Sequence, residues 1–162
     1  MSSSTLYGGT HTQFNVTMRR LGYDFVFVEP DDPENFRKAI TPKTKLIFGE
    51  TISHPRSNLL DLQGVAGIAL SLGCPFVVDN TFATPINQNP LTLGMDAVIH
   101  SATKYLNGHS DVNAGVVVAS AEIVRRVTVS AVNFGGMLDA HACAQLERGL
   151  KTLALRVQRH NE

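Results

Sequence analysis

The chain has 162 residues, and its 14 Lys and Arg balance its 14 Asp and Glu, so the formal net charge is zero at pH 7. This balance excludes the strongly basic surface expected of a protein that binds nucleic acid or an anionic membrane. A hydrophobic fraction of 43% and a charged fraction of 17% are ordinary for one globular domain with a buried core. We therefore expect partners that are small molecules or other protein chains.

The two cysteines, Cys74 and Cys143, have neither the number nor the spacing of a disulfide framework or a zinc site. The N-terminal segment lacks a basic start followed by an apolar run, and no apolar stretch reaches the length of about 18 residues that a membrane span needs. From these features we expect a cytoplasmic protein that is neither secreted nor anchored.

Short apolar runs alternate with segments of helical spacing, which is typical of a mostly parallel sheet flanked by helices. Five runs are predicted to be buried strands, at residues 25–28, 46–48, 76–78, 97–99 and 115–118. Asp32-Pro33-Glu34 predicts the start of a helix, and Thr41-Pro42 predicts its end. Between Asp61 and Leu72 apolar residues repeat at three and four positions, which predicts a helix that packs on the sheet and ends at a left-handed Gly73.

Two more helices are predicted in the C-terminal third, at residues 121–132 and, after Gly135-Gly136, at residues 140–157. The second of these carries an apolar stripe of Leu146, Leu150 and Leu153 that we do not expect one sheet to cover. We therefore expect the chain to be part of a larger protein.

A lysine and an aspartate follow two consecutive predicted strands. Asp79 ends the run at 76–78, and Lys104 lies in Ser101-Ala102-Thr103-Lys104-Tyr105, just past the run at 97–99. Because parallel strands bring their carboxyl ends to the same edge of a sheet, we expect these two side chains to be near neighbours. They form the pair that pyridoxal phosphate chemistry needs, since a lysine holds the aldehyde as a Schiff base and a carboxylate keeps the pyridine nitrogen protonated.

Each candidate residue also has a plain structural interpretation. Lys104 alone would be a solvated surface lysine, and Asp79 alone would cap the next helix. Ser101 and Thr103 could be loop hydroxyls, but two hydroxyls just before the lysine suit a phosphate group. Tyr7 is either a buried structural tyrosine or a ring that stacks on a flat cofactor and takes part in proton transfer.

Other chemistries are disfavoured by incomplete motifs. Ser101–Lys104 also matches the Ser-x-x-Lys motif of penicillin-binding proteins, but Ser110-Asp111-Val112 lacks the companion asparagine and Lys151-Thr152-Leu153 lacks the companion glycine. Gly8-Gly9 is neither a nucleotide phosphate loop nor a dinucleotide fingerprint. The six histidines form no His-x-x-x-His pair, so no metal site is expected.

Residues 6–10, 77–85, 98–109 and 148–153 resemble the Cys/Met-metabolism (transsulfuration) family of pyridoxal phosphate enzymes, and the stretch 98–109 is highly specific. This family includes cystathionine gamma-synthase, cystathionine gamma-lyase, methionine gamma-lyase and O-acetylhomoserine sulfhydrylase. The resemblance implies that Lys104 is the Schiff-base lysine and that Asp79 is the partner of the pyridinium. It also implies that Ser101 and Thr103 contact the phosphate and that Tyr7 stacks on the cofactor.

The resemblance implies an α/β fold, the large domain of the aminotransferase-type (fold type I) architecture, with a mostly parallel seven-stranded sheet and a dimeric or tetrameric assembly. Residues 1–162 would form a single cofactor-binding large-domain core, without the family's N-terminal segment and C-terminal small domain. The chain departs from the family within Glu50-Thr51-Ile52-Ser53-His54-Pro55. There His54 replaces the asparagine that touches the cofactor's phenolic oxygen, so we expect altered electronic tuning.

The activity implied by the resemblance is a pyridoxal phosphate-dependent gamma-replacement or gamma-elimination on activated homoserine or a sulfur amino acid, in methionine and cysteine metabolism. Residues 50–52 and 31–36 favour sulfhydrylases, whereas residues 106–111 favour synthases and lyases, so this choice stays open. The alternative is a catalytically weak or inactive chain that acts as a structural or oligomerising domain.

Overall fold

The computed structural model describes residues 1–162. Its strands are β1 (Ser2–Ser3), β2 (Phe27–Val28), β3 (Ile47–Glu50), β4 (Phe76–Asp79), β5 (Ala97–Ser101) and β6 (Gly115–Ala119). Its α-helices are α1 (Gly8–Thr12), α2 (Met18–Arg20), α3 (Glu34–Ala39), α4 (Leu62–Ser71), α5 (Thr84–Asn87), α6 (Ala121–Phe134), α7 (Ala140–Leu150) and α8 (Leu153–His160). A π-helical turn at Gln13–Thr17 joins α1 to α2, and a 3₁₀ turn spans Pro90–Leu93.

The six strands form one sheet in the order β2-β1-β3-β4-β5-β6. β1 pairs in parallel with β2 and β3, whereas β6 pairs antiparallel with β5. The predicted α/β class, a mostly parallel sheet flanked by helices, is therefore confirmed. The sheet has six strands rather than the seven that the resemblance implies.

The chain divides into two compact units, one made of residues 1–78 and 92–95 and the other of residues 79–91 and 96–162. The prediction of a single cofactor-binding large-domain core over residues 1–162 stays a prediction. No helix in either unit is long and apolar enough to cross a bilayer.

Local signals in the first unit place its helices where the sequence predicts them. The Asp61 carboxylate caps α4 by accepting a hydrogen bond from the Gly64 N–H at 2.9 Å. The apolar face of α4, including the fully buried Val65, packs into a core with the fully buried Phe36 and Phe76. Complete burial of one such side chain contributes about 1.5–3 kcal/mol. The cap therefore sets where α4 begins, while packing of its apolar face supplies most of its stability.

The second unit departs from the prediction at β6. The run 115–118 was predicted to be a buried strand, and this is wrong, because no residue of Gly115–Ala119 is buried. β6 is the terminal strand of the sheet, with β5 as its one neighbour. A continuous apolar run is typical of a strand covered on both faces, but it does not reveal whether a strand lies in the middle or at the edge.

The predicted helix at 140–157 is two helices, α7 and α8, and the break lies at Lys151-Thr152. Thr152 donates a hydrogen bond from its hydroxyl to the Gly149 carbonyl at 3.3 Å. The predicted apolar stripe is divided as a result, since Leu153 is buried and Leu150 remains 45% exposed. The apolar side of α8 packs against the turn that follows β5, and together they form a cluster of Ala102, Leu106, Leu153 and Val157.

Candidate active site

Asp79 ends β4, and the turn that follows orients its carboxylate. The Oδ1 atom of Asp79 accepts a hydrogen bond from the Thr81 N–H at 2.8 Å. The Thr81 hydroxyl in turn accepts from the Ser101 N–H at 2.7 Å, and the Asn80 N–H donates to the Ile99 carbonyl at 2.9 Å. These bonds join the ends of β4 and β5, so Asp79 and Ser101 lie on one edge of the sheet. The predicted proximity of Asp79 and Lys104 stays a prediction.

Lys104 lies in the turn just after β5. Its N–H donates to the Ser101 carbonyl at 3.1 Å, and its carbonyl accepts from the Gly108 N–H at 2.8 Å. Gly108 has φ +76°, a backbone conformation that glycine adopts without strain. The Lys104 side chain is exposed and makes no ion pair or hydrogen bond within the chain, so its amine is available to react with an aldehyde.

The two hydroxyls that precede Lys104 differ in their surroundings. The Ser101 hydroxyl makes no hydrogen bond within the chain, whereas the Thr103 hydroxyl is directed at Asn113 Oδ1 (3.0 Å) and the Ala114 carbonyl (3.3 Å). A hydroxyl carries a single proton. In this arrangement Ser101 can donate to a phosphate, while Thr103 would first have to release its partner in the chain.

Two cavities contain the predicted residues of the second unit. Asp79, His100 and Ser101 line a cavity of about 630 Å³ together with residues of β6 and α6. Thr103 and Lys104 line a different cavity, of about 510 Å³. Asp79 thus lines one of these two cavities and Lys104 lines the other, a division that the sequence did not predict.

His100 is a buried residue of β5 that sequence reasoning did not single out, and it directly follows the apolar run 97–99. It is 6% exposed, and its Nδ1 atom has no hydrogen-bond partner. Burial lowers the pKa of His100 below its ordinary value, and the negative charge of Asp79 opposes this shift in part. The neutral imidazole is therefore the form that the fold favours.

The lowered pKa of His100 predicts a loss of stability in acid. Between the lowered pKa and the ordinary value of about 6.5, the unfolded chain binds the additional proton, so the free energy of unfolding falls as the pH falls. One group contributes at most about 1.4 kcal/mol per pH unit to this slope. Urea unfolding between about pH 7.5 and about pH 5.5 should show a smaller slope for His100→Gln than for the parent chain. His141→Gln, at an exposed position, is the control that should keep the slope, and an unchanged slope in His100→Gln would contradict the assignment.

In the first unit, the carboxylate of Glu50 holds Tyr7 and His54. Its Oε1 accepts from the Tyr7 N–H at 2.8 Å, and its Oε2 accepts from the His54 N–H at 3.4 Å. The rings of Tyr7 and His54 meet edge to face, with centroids 5.6 Å apart. A Cβ at Gly9 would lie 2.6 Å from Cε1 of Tyr7, so the ring lies close against the Gly9 backbone. Tyr7 is 52% exposed, so the interpretation as a buried structural tyrosine is wrong.

The residues of this edge fit pyridoxal phosphate by the chemistry of their donors and acceptors. Lys104 offers a primary amine for the aldehyde. Asp79 has a second carboxylate oxygen without a hydrogen-bond partner in the chain, and Ser101 has a free hydroxyl for the phosphate. Separately, in the first unit, the ring of Tyr7 is 52% exposed.

The sequence matches a known family over its whole length. The family model for Cys/Met metabolism PLP-dependent enzymes, which use pyridoxal phosphate, covers residues 1–162. The chain belongs to this family. The predicted family is therefore confirmed, while the roles of individual site residues stay predictions.

The curated relatives of the chain are named as lyases and synthases of sulfur amino acids. The chain is 43% identical over 164 residues to an L-methionine gamma-lyase of Treponema denticola, a match that covers 99% of the chain and 41% of the relative. It is 46% identical over 154 residues to a cystathionine gamma-lyase of Bacillus subtilis, covering 94% of the chain and 41% of the relative. The chain thus spans about two fifths of the length of these relatives.

The crystal structure of cystathionine gamma-lyase from Lactobacillus plantarum complexed with L-serine superimposes on the chain with a TM-score of 0.91 and 37% sequence identity. The match covers 95% of the chain and 41% of that structure. This agreement confirms the predicted fold type I architecture.

Proposed function

We propose that the chain binds pyridoxal phosphate through Lys104 and Asp79, within a protein that carries out gamma-elimination or gamma-replacement on activated homoserine or a sulfur amino acid. The family match and the names of the relatives support this chemistry. The observation that carries the proposal is the shared strand edge, where Thr81 links Asp79 to Ser101 and the free amine of Lys104 follows in the next turn.

When bound, pyridoxal phosphate supplies an electron sink that stabilises negative charge on the substrate α-carbon. Lys104 would hold the aldehyde carbon through Nζ, and its amine, when free, would accept the proton from the substrate α-carbon. Asp79 keeps a proton on the pyridine nitrogen with the carboxylate oxygen that Thr81 leaves free. Ser101 and Thr103 bind the phosphate, Thr103 after exchanging its present partner.

Tyr7 and His54 take their proposed roles from the family resemblance. Tyr7 stacks on the cofactor ring and assists proton transfer, and its exposed ring supports this role. His54 would contact the cofactor's phenolic oxygen in place of the family's asparagine. Glu50 holds the backbone of both residues and is a positioning residue in this scheme.

We also propose a cytoplasmic homo-oligomer that acts on a small amino-acid substrate rather than on nucleic acid. The zero net charge supports a small-molecule substrate. Helix α6 exposes Val129, Val132 and Phe134, with Phe134 91% exposed, and apolar surface of this kind supports association between copies.

A second candidate function is a structural or oligomerising domain with weak or no catalysis. The separate cavities of Asp79 and Lys104 and the internal hydrogen bonds of Thr103 favour this alternative. Turnover distinguishes the two candidates, since both allow the cofactor to bind.

Reduction of the reconstituted chain with borohydride tests the proposed cofactor site. Peptide mass mapping should find one cofactor adduct, at Lys104, and Lys104→Ala should lose it. Lys151→Ala is the matched control, because Lys151 is 70% exposed and pairs with Glu147 on the same helical face. Equal labelling of several lysines would overturn the assignment of Lys104.

Turnover is measured on the same reconstituted protein with cystathionine, methionine and O-acetylhomoserine. Release of the gamma substituent from one of these substrates, lost in Lys104→Ala, supports the enzyme. A chain that labels at Lys104 but turns over none of them supports the structural alternative.

A further inference from the structure

A single arginine of α8 binds the loop that follows Lys104. Arg156 donates from Nη1 to the Tyr105 carbonyl at 2.7 Å and from Nη2 to the Leu106 carbonyl at 3.4 Å. Nη2 also donates to the Gly149 carbonyl at 2.8 Å, and Nε donates to the Thr152 hydroxyl at 3.0 Å. One guanidinium therefore joins the Lys104 loop, the end of α7 and the start of α8.

The guanidinium of Arg156 provides hydrogen-bond donors for carbonyl groups at the end of α7 and in the loop after Lys104. The last carbonyls of a helix have no partner within it, and the Gly149 carbonyl near the end of α7 belongs to this group. A planar fork of five N–H donors can bind several carbonyls at once, which a lysine ammonium cannot do in the same geometry. Arg156 thus satisfies the end of α7 and the neighbouring loop together.

Two glycines allow the close approach. A Cβ at Gly108 would overlap the guanidinium of Arg156, and a Cβ at Gly149 would overlap the backbone carbonyl of Asn107. Asn107 is itself fully buried, and its side chain donates to Asp111 Oδ1 at 2.8 Å. The backbone that follows Lys104 is therefore held from two sides.

Hydrophobic packing alone does not fix the direction of Lys104. Ala102 and Leu106 of the loop are buried in the cluster with Leu153 and Val157, while Lys104 between them is exposed. Burial anchors the loop on either side of Lys104, but the orientation of the next peptide group depends on the hydrogen bond from Arg156 to the Tyr105 carbonyl. Arg156 also lines the same 510 Å³ cavity as Lys104.

We propose that Arg156 is a positioning residue for Lys104, holding the Tyr105 and Leu106 carbonyls so that the amine projects from a fixed backbone into the cavity that both residues line. The inference rests on the proposed function of Lys104. Arg156 acts through the loop, since its guanidinium binds the Tyr105 and Leu106 carbonyls directly after Lys104.

The first test measures the loop without cofactor. In Arg156→Met, amide hydrogen exchange at Asn107 and Gly108 should speed up by about tenfold or more, because several charge-assisted bonds to the loop and its neighbour are lost. Arg156→Lys keeps the charge but not the fork and should give an intermediate rate. Exchange as slow as in the parent chain would overturn the inference.

The second test measures which lysine reacts. At limiting pyridoxal phosphate, borohydride labelling should favour Lys104 strongly in the parent chain and about tenfold less in Arg156→Met. Guanidinium ion added to Arg156→Ala should restore part of the preference, which a merely structural role would not allow. If Arg156→Met does not fold, Arg156→Lys is labelled in its place, and because it keeps the charge but not the fork, a partial loss of preference is expected.

Two control variants separate positioning from general stability. Arg159→Met removes an exposed arginine of α8 that pairs with Glu162, and it should leave both measurements unchanged. Val65→Ala removes fully buried packing in α4 and should lower stability while Lys104 remains the preferred lysine. Equal preference for Lys104 in the parent chain and Arg156→Met overturns this inference alone, whereas absence of preference in the parent chain overturns the proposed function.

Discussion

Replacing Asp79 by asparagine is expected to lower turnover by about 10²–10³-fold while the cofactor remains attached to Lys104. The carbonyl oxygen of the new amide can still accept the hydrogen bond from the Thr81 N–H, so the turn keeps its geometry. The amide carries no negative charge, however, and cannot hold a proton on the pyridine nitrogen. The variant therefore separates the charge of Asp79 from its position.

The measurement compares kcat/KM, and the rate of α-proton exchange into deuterated solvent, for protein that borohydride labels at Lys104 to the same extent. Asp61→Asn is the matched control, because the Asp61 carboxylate also accepts a backbone hydrogen bond, from Gly64 at 2.9 Å, but lies at the start of α4. That control should keep its turnover, since asparagine caps a helix about as well as aspartate does. Asp79→Asn with turnover close to that of the parent chain would contradict the role of the charge.

Local signals explain which parts of the fold could be predicted from the sequence. The predicted ends of β4 and β5 lie within two residues of the observed ends, and α4 (Leu62–Ser71) lies within the range of 61–72 that the apolar repeat predicts. Caps, periodicity and glycine positions act over a few residues, so a sequence displays them directly. The order of the strands along the chain likewise predicts that Asp79 and Lys104 lie near each other at one edge of the sheet, and this stays a prediction.

The features that escaped prediction depend on contacts between distant residues. The break between α7 and α8 is stabilised by Arg156, which takes the Gly149 carbonyl while it binds Tyr105, 51 positions earlier. Glu50 reaches the Tyr7 amide across 43 positions, and Thr81 reaches the Ser101 amide across 20. A side chain that acts by binding a remote backbone group leaves no local pattern.

The edge position of β6 escaped prediction for a related reason. Its apolar run has the composition of a covered strand, and its antiparallel pairing with β5 places it at the end of the strand order. An apolar run is typical of a strand with two covered faces, and only the position in the sheet shows that β6 lacks them. The sequence could therefore locate the strand but not its place in the sheet.

Replacing Gly149 by alanine is the second change with a large expected effect. Alanine favours a helix over glycine by about 1 kcal/mol, which on its own would stabilise α7. The new methyl group would, however, overlap the backbone carbonyl of Asn107, and a backbone atom in a buried turn cannot move aside as a flexible side chain can. Overpacking of this kind costs about 1–3 kcal/mol or more, so we expect a net loss of stability and a displaced Lys104 loop.

Gly67→Ala is the control that separates the gain in helix propensity from the steric overlap of the new methyl group. Gly67 lies on the exposed side of α4, and a Cβ there meets nothing within 4 Å. Gly67→Ala should therefore raise the free energy of unfolding by about 0.5–1 kcal/mol, opposite in sign to Gly149→Ala. Urea unfolding of both variants measures the sign of the change in the free energy of unfolding. Borohydride labelling at Lys104 should fall in Gly149→Ala and stay unchanged in Gly67→Ala. If both alanine variants were stabilised alike, the tight crossing of α7 over the Lys104 loop would be wrong, because helix propensity would then be the larger effect at both positions.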